Sequence, residues 1–273
     1  MRHDGVLVKS AATQSGEFVT CIFGLLYCLT DAIERRRWQL SPCLVAVILA
    51  MLGNMLYVAT GRTALAIVPV LLILFAIKRL NAKGIAFICA AALLIGLLGW
   101  VSSPYLRSRT VQIWTDMEKY EATDERTSSG ERIEFWKKSI EFIQQSPLIG
   151  HGTGSIHSLF VKAAAGHTAT AGVAAANPHN QTFAVAIQLG LVGATVLWAM
   201  WIAHLLLFRG NGLVAWIGLV IVVQNVIGSL LNSHLFDFVQ GWVYVIGVGV
   251  AGGMALRTRS PEGRFKSEFF GCR

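Results

Sequence analysis

Seven apolar runs constrain what this chain can fold into more than any other feature of its sequence. Six are strongly apolar, and they cover residues 42–59, 63–77, 85–101, 182–208, 212–231 and 235–256. A seventh, weaker run covers residues 18–33 and is interrupted by Asp31. Because a helix needs about 20 apolar residues to cross a bilayer, the sequence predicts an all-α, polytopic membrane bundle of about seven transmembrane helices.

The composition agrees with a membrane protein. The 273 residues are 54% hydrophobic and only 14% charged, whereas soluble domains carry about 25% charged residues. A net charge of +8 could indicate a nucleic-acid partner, but the long polar segment 102–181 holds eight Lys/Arg and eight Asp/Glu. The positive excess therefore lies in short loops and the tail, where membrane topology places it. We expect the lipid bilayer as a partner and no nucleic acid.

The distribution of positive charge predicts which loops face the cytoplasm. Twelve Lys/Arg follow alternate apolar runs on one side, and Arg62 is alone in the short loops of the other side. By the positive-inside rule, the twelve are cytoplasmic and residues 102–181 are external. The expected organisation is a four-helix membrane segment, an external loop with amphipathic helices, a three-helix membrane segment and a basic cytoplasmic tail. These units cover residues 1–101, 102–181, 182–256 and 257–273.

A helix is expected within the external loop, over "SSGERIEFWKKSIEFIQQSP". Ser128 and Glu131 have the spacing of a capping box, and Pro147 ends the helix. Its apolar residues recur at helical spacing and predict a buried stripe of Ile133, Trp136, Ile140 and Ile143. The amphipathic pattern predicts packing on the membrane surface or over the bundle.

Two external arginines are candidates for binding an anion. Arg62, in "TGRTA", either anchors a helix end at the interface or binds phosphate through its bidentate guanidinium. Arg132 lies four residues before Trp136, so both share one helical face. It either points toward the bundle or pairs with neighbouring carboxylates in solvent.

His179, in "ANPHNQTF", is the sharpest candidate for catalysis. An imidazole titrates near neutral pH and can take a proton from a hydroxyl. Asn177 and Asn180 flank it and can orient it or hold a sugar. The alternative is an ordinary turn before a helix, since Asn177 precedes Pro178.

The glycines of "GHGTGS", Gly150, Gly152 and Gly154, form either a backbone nest for phosphate or a tight turn after Pro147. None of the external histidines has a recognised ligand spacing, and the cysteines lack zinc-site spacing. We therefore expect no metal site and no cofactor.

Taken in order, these motifs resemble the C-terminal part of the bacterial O-antigen ligase and polymerase superfamily. The family pattern is an arginine before an apolar helix, then R-x-x-x-W, P-x-x-G-x-G, and H-N leading into a helix with G-x-x-G. The matching residues here are Arg62, Arg132, Trp136, Pro147, Gly150, Gly152, His179, Asn180, Gly190 and Gly193. The resemblance covers residues 61–256.

The resemblance implies a metal-independent, inverting glycosyltransferase of the bacterial inner membrane with its active site facing the periplasm. Its donor would be a glycan carried on undecaprenyl diphosphate. Its acceptor would be lipid A–core in a ligase, or another lipid-linked glycan in a polymerase. By this resemblance His179 is the catalytic base, and Arg62 and Arg132 bind the diphosphate. Asn177, Asn180, Gly152, Gly154 and Trp136 are expected to support them.

Other functions stay open at this stage. Family members have around a dozen spanning helices, so this chain resembles a member that lacks its first helices and could be non-catalytic. A transporter would place charges within the helices, and few are found there. The sequence does not distinguish a ligase from a polymerase. It also does not identify the sugar, the linkage, the acceptor or the oligomeric state.

Overall fold

The computed structural model describes residues 10–58, 61–123 and 125–259, and the helical fold class is confirmed: these residues form ten helices and no strand. Most of the predicted tail 257–273 lies outside the described residues. The helices are α1 (Ala11–Glu34), α2 (Ser41–Tyr57), α3 (Arg62–Arg79), α4 (Ala82–Ser102), α5 (Pro104–Thr123), α6 (Ser128–Gln145), α7 (Ser155–Ala164), α8 (Gln181–Leu207), α9 (Leu213–Leu231) and α10 (Phe238–Arg259).

A helix lies on each of the seven apolar runs. Five of them, α1, α4, α8, α9 and α10, are long and apolar enough to cross a membrane. Helix α2 is shorter, with 17 residues, and the 18 residues of α3 include Arg62, Lys78 and Arg79 at its ends. The protein is a multi-pass membrane protein with five candidate spans in the described chain, and the predicted count of seven is not established.

Helix α1 begins at Ala11, seven residues before the predicted apolar run. Ser10 caps it by accepting a hydrogen bond from the Thr13 N–H (3.2 Å). Polar side chains in the first turns of α1 are buried, and hydrogen bonds to other segments satisfy them. Gln14 donates to Asn54 (3.1 Å), and Ser15 Oγ accepts from the Gly61 N–H (2.9 Å). A hydropathy pattern cannot detect such a start, which packs against the beginning of α3.

The main core lies among α1, α3 and α9. Phe75 packs on Trp216 with ring centroids 5.4 Å apart, and Phe23 lies 6.5 Å from each ring. Trp216 Nε1 donates to the Phe23 carbonyl (2.8 Å), which satisfies the indole in an apolar setting. Helix α9 is therefore central, whereas α4 lies at the periphery and is largely exposed.

The basic ends of the helices lie together. Arg79 at the end of α3 pairs with Glu34 at the end of α1 (3.3 Å). Lys78 donates to the carbonyls of Arg209 and Gly210 after α8 (3.1 Å each). This end of the bundle is opposite to the end where Ser15 meets Gly61. The positive charges that the sequence assigns to one side therefore lie at one end of the folded bundle.

Helix α6 differs from its prediction in two details. Its cap is Thr127, whose Oγ1 accepts from the Gly130 N–H (3.1 Å), one residue before the predicted Ser128. Its buried face holds Phe135, Ser139 and Phe142, whereas Ile140 of the predicted stripe is 46% exposed. The reason is that α6 packs on α7 and on the start of α8. Phe160 of α7 meets Phe135 and Phe142 edge-to-face, with ring centroids 5.5 and 5.2 Å away.

Candidate functional site

The start of α8 is fastened to the turn between α9 and α10. Asn180 caps α8, accepting from the Phe183 N–H (3.1 Å) and donating to the Leu230 carbonyl (3.0 Å). The next residue, Gln181, is fully buried and accepts from the Leu235 N–H (3.0 Å). These contacts fix the residues before α8 against the end of α9 and the turn before α10.

The backbone at His179 is held in an unusual conformation. Its φ of +54° lies in the left-handed region, which non-glycine residues adopt in only a few per cent of cases. The His179 N–H donates to Asn177 Oδ1 (2.8 Å), closing a turn around Pro178. Ser233 donates to the same oxygen (2.7 Å). Asn177 thus orients the histidine through its backbone.

The imidazole ring is held by two further contacts. Its Nδ1 lies 3.0 Å from Asn232 Oδ1, and its face stacks on Phe135 of α6, with centroids 6.2 Å apart at 17°. Asn232 was missed by the sequence reasoning. The available signal was the polar triplet Asn232, Ser233 and His234 in a short turn between two apolar helices.

The surroundings of His179 favour its neutral form. Burial lowers the pKa of His179 below its ordinary value of 6.5, the hydrogen bond with Asn232 raises it, the Arg132 charge lowers it and Glu131 raises it. The net direction is downward because loss of hydration disfavours the imidazolium. At neutral pH the ring therefore has a free nitrogen lone pair.

Arg132 is brought to the same corner as His179. It is half-buried on α6, three residues before the Phe135 on which the imidazole stacks, and its charge acts on the pKa of His179. Trp136, one turn after Arg132, lies edge-on to Phe183 with ring centroids 6.4 Å apart. The fold thus packs α6 against the first turn of α8 and the residue before it, through Trp136 on Phe183 and Phe135 on His179.

For Arg62 the structure describes the backbone only. It is the first residue of α3, and Gly61 before it touches α1. A Cβ at Gly61 would lie 2.6 Å from Ala12 Cα and 2.8 Å from Ser15 Oγ. The glycine of "GRTA" therefore permits close packing of α1 against the residue before α3. The role of Arg62 stays a prediction.

Helix α8 is broken at its tenth residue, Gly190. Gly190 has φ +63° and ψ −159° inside the helix, and residues 147–152 run beside the break. The freed carbonyls of Ile187 and Gln188 accept from the His151 and Gly152 N–H groups (2.9 Å each). In return, the Leu191 N–H donates to the Pro147 carbonyl (2.8 Å). The break is satisfied by backbone hydrogen bonds, as an apolar environment requires.

The glycines of "GHGTGS" are explained by this break rather than by a phosphate nest. Gly150, Gly152 and Gly154 have φ values of +69°, +91° and +81°. Their N–H groups donate to the Ser146 carbonyl, the Gln188 carbonyl and the Gln188 side chain. Because these donors are used within the chain, the geometry favours the tight-turn alternative for these glycines.

An apolar groove of about 570 Å³ lies along the broken helix. Its walls include Val185 and Leu189 before the break, Val192 and Val196 after it, and Leu235 from the α9–α10 turn. The Leu235 N–H also donates to the Gln181 side-chain oxygen, so the groove begins next to the residues that hold His179.

Comparison with known proteins now decides the family. A model described as O-antigen ligase matches residues 47–199, more than half of the chain. The chain belongs to the O-antigen ligase family. An uncharacterised protein of Haemophilus influenzae is 31% identical to it over 112 residues. That match covers 40% of this chain and 28% of the relative, so the chain spans well under half of that relative's length.

The region that matches the O-antigen ligase family contains Arg62, Arg132, Trp136, His179 and the Gly190 break. Asn232 lies beyond it, although it contacts the imidazole directly. The arrangement offers a neutral imidazole and a guanidinium at one corner. These groups can take up a proton and stabilise a developing negative charge. Among the described residues, no three His, Cys, Asp or Glu side chains lie together as a metal ion would require.

Proposed function

We propose that this O-antigen ligase family member transfers a glycan from undecaprenyl diphosphate to an acceptor hydroxyl, which in the ligase reaction belongs to lipid A–core. We place the reaction on the periplasmic face of the bacterial inner membrane. The observation that carries the proposal is His179, a half-buried, neutral imidazole restrained at both backbone and ring beside Arg132. A general base must be neutral and positioned before its substrate arrives.

In the proposed reaction the acceptor oxygen attacks the anomeric carbon of the donor sugar. The bond from that carbon to the diphosphate oxygen breaks, and its electron pair leaves with undecaprenyl diphosphate. The hydroxyl proton passes to Nε2 of His179. A single displacement of this kind inverts the configuration at the anomeric carbon.

Arg132 and Arg62 are the proposed ligands of the diphosphate. Guanidinium groups bind phosphate oxygens in pairs and stay charged at all relevant pH values. Because the leaving group is already a diphosphate held by cations, the proposal requires no metal ion. The Arg132 charge also helps to keep His179 neutral, so one residue supports both the leaving group and the base.

The apolar groove along α8 supports a lipid-linked donor. It is lined by aliphatic side chains and starts beside the residues that hold His179. A polyprenyl chain in this groove would bring its diphosphate to the outer end of the bundle.

Complementation tests the proposal. The gene is expressed in one strain without O-antigen ligase and in another without O-antigen polymerase, and lipopolysaccharide is separated on a gel. We expect the ligase-deficient strain to regain O-antigen on lipid A–core, and the His179→Ala variant to restore none. Rescue of the polymerase-deficient strain alone would assign polymerisation instead. Rescue of neither strain by a protein that reaches the membrane would contradict the proposal.

A further inference from the structure

The contact between Asn232 and His179 has a consequence for proton transfer. The two residues are 53 positions apart, and Asn232 Oδ1 lies 3.0 Å from Nδ1 of the ring. An amide oxygen only accepts hydrogen bonds, so with the amide in this orientation the Nδ1 atom carries the proton. In a neutral imidazole, the other nitrogen, Nε2, then holds the lone pair.

We propose that Asn232 is a positioning residue that holds His179 in the Nδ1–H tautomer, with Nε2 as the proton acceptor. This inference rests on the proposed function, because the tautomer affects the reaction only if His179 accepts the proton of the acceptor hydroxyl. When the acceptor hydroxyl gives its proton to Nε2, both ring nitrogens carry hydrogen. Asn232 Oδ1 keeps its hydrogen bond throughout, so the ring need not turn during the reaction.

The position of Asn232 is itself restrained. It ends α9, where its N–H donates to the Gly228 carbonyl (2.9 Å). The following residue, Ser233, is fully buried and donates to Asn177, which also accepts the His179 N–H. Backbone and ring of the histidine are therefore tied to two consecutive residues of the α9–α10 turn.

Several charged or titratable groups lie on the elements that pack around this contact, and all are retained in the test. Arg132 and Glu131 of α6 act on the ring with opposite signs. Helix α6 also carries Glu134 and Lys138, and the α9–α10 turn carries His234 and Asp237. In α8 the first titratable residue is His204, near its far end. A change confined to position 232 therefore reports on Asn232 alone.

The direct test is nitrogen NMR of the full-length protein, labelled with ¹⁵N-histidine and held in lipid nanodiscs. The chain has seven histidines, and comparison with the His179→Gln variant assigns the signal of His179. At a pH above its pKa, we expect wild-type His179 to show a protonated Nδ1 and an unprotonated Nε2. A protonated Nε2 would overturn the inference, because it would mean that Asn232 donates its amide hydrogen to the ring.

Two variants extend the test. Asn232→Asp keeps an acceptor and adds a negative charge, so the Nδ1–H tautomer should persist and the pKa of His179 should rise by about one unit. Asn232→Leu removes the acceptor, so the Nδ1–H preference should be lost. Asn211→Asp places the same charge in an exposed turn at the opposite end of the bundle and should leave the His179 signals unchanged. An unchanged tautomer in Asn232→Leu would also overturn the inference.

Transfer kinetics connect the tautomer to the reaction. Asn232→Leu should lower kcat by no more than the roughly 10²–10⁴-fold that a general base contributes, with little change in the KM for donor. Asn232→Asp should move the acidic limb of the pH profile to higher pH. Normal transfer by His179→Ala would contradict the proposed function, whereas the NMR result would still decide the role of Asn232.

Discussion

At position 179 the backbone and the ring are restrained by different partners. Asn177 holds the left-handed backbone, and Asn232 and Phe135 hold the imidazole. A conformation with φ of +54° costs free energy, on the order of 1–3 kcal/mol for such strained residues. The surrounding hydrogen bonds maintain it, and the ring is thereby aligned before any substrate binds.

The pH dependence of transfer follows from the environment of His179. The base is competent above its pKa and is lost as pH falls through it. Burial lowers that pKa below 6.5, so we expect the acidic limb of kcat/KM to lie below pH 6.5. The measurement is initial transfer rate against pH in detergent, with donor binding followed separately. An acidic limb above pH 6.5 would contradict the proposed environment.

Arg132 is expected to tolerate replacement poorly. Arg132→Ala should reduce transfer on the order of 10²-fold, as loss of a charge-stabilising donor does. Arg132→Lys should retain only part of the transfer activity, because lysine lacks the bidentate fork of the guanidinium group. The matched control is Arg107→Lys, at an exposed position of α5, which should transfer normally. Full activity of Arg132→Lys would leave the guanidinium without a specific role.

The sequence pointed to part of this candidate site and missed part of it. His179 and Arg132 were selected because the residue types suit the chemistry and the motifs are local, and the structure brings them to one corner. Asn232 was missed because its contact spans 53 residues and depends on how α8 packs against the α9–α10 turn. The glycines of "GHGTGS" stood out in the sequence. Their close packing was not predictable, because Gly150 lies against the backbone beside Gly190, which is 40 residues away in the chain.

At the scale of elements, the break in α8 matters most. A Cβ at Gly190 would lie 2.2 Å from the Leu148 carbonyl oxygen, and a Cβ at Gly150 would lie 2.4 Å from the Gln188 carbonyl carbon. The two segments touch backbone to backbone, which only glycine permits. This contact sets the path of α8 along the wall of the groove.

Replacing Gly190 should therefore destabilise the protein. Gly190→Ala combines a steric clash with a positive φ, and we expect a loss on the order of 3 kcal/mol. The control is Gly249→Ala in α10, where a Cβ meets nothing within 4 Å. That variant should be neutral or slightly stabilising, since alanine favours helices over glycine. Thermal unfolding in a single detergent compares them, and equal melting temperatures would contradict the packing described.

Helix α6 shows where periodicity misled the prediction. Two apolar stripes are present in its sequence, and the pattern alone favoured the one rich in isoleucine and tryptophan. The fold buries Phe135 and Phe142 instead, because Phe160 of α7 inserts between them. The partner of a surface helix is a tertiary property that hydropathy does not contain.

For the whole molecule, the polar candidates gather at one end and the basic residues at the other. Gly61, His179 and Asn232 lie toward the end where α1 and α3 begin, and Arg79 and Arg209 lie at the opposite end. The sequence predicted this arrangement from loop charges, since positive residues of short loops stay in the cytoplasm.

A topology experiment tests that orientation. A reporter enzyme that is active only outside the cytoplasm should work when inserted at Gly166, in the exposed turn after α7. It should be inactive when fused after Arg259, at the end of α10. A cytoplasmic reporter inserted at the same two positions serves as the control and should give the opposite results. Activity of the first reporter after Arg259 and not at Gly166 would reverse the proposed orientation.

The central claim is that His179 is the base of a glycan transfer from lipid diphosphate. The most direct measurement is transfer of a radiolabelled glycan from undecaprenyl diphosphate to lipid A–core by the purified protein. His179→Ala should lose transfer by about 10²–10⁴-fold while still binding donor, since the arginines remain. His157→Ala, at an exposed position of α7, should transfer as the wild type does. Normal transfer by His179→Ala, with donor and acceptor saturating, would contradict the claim.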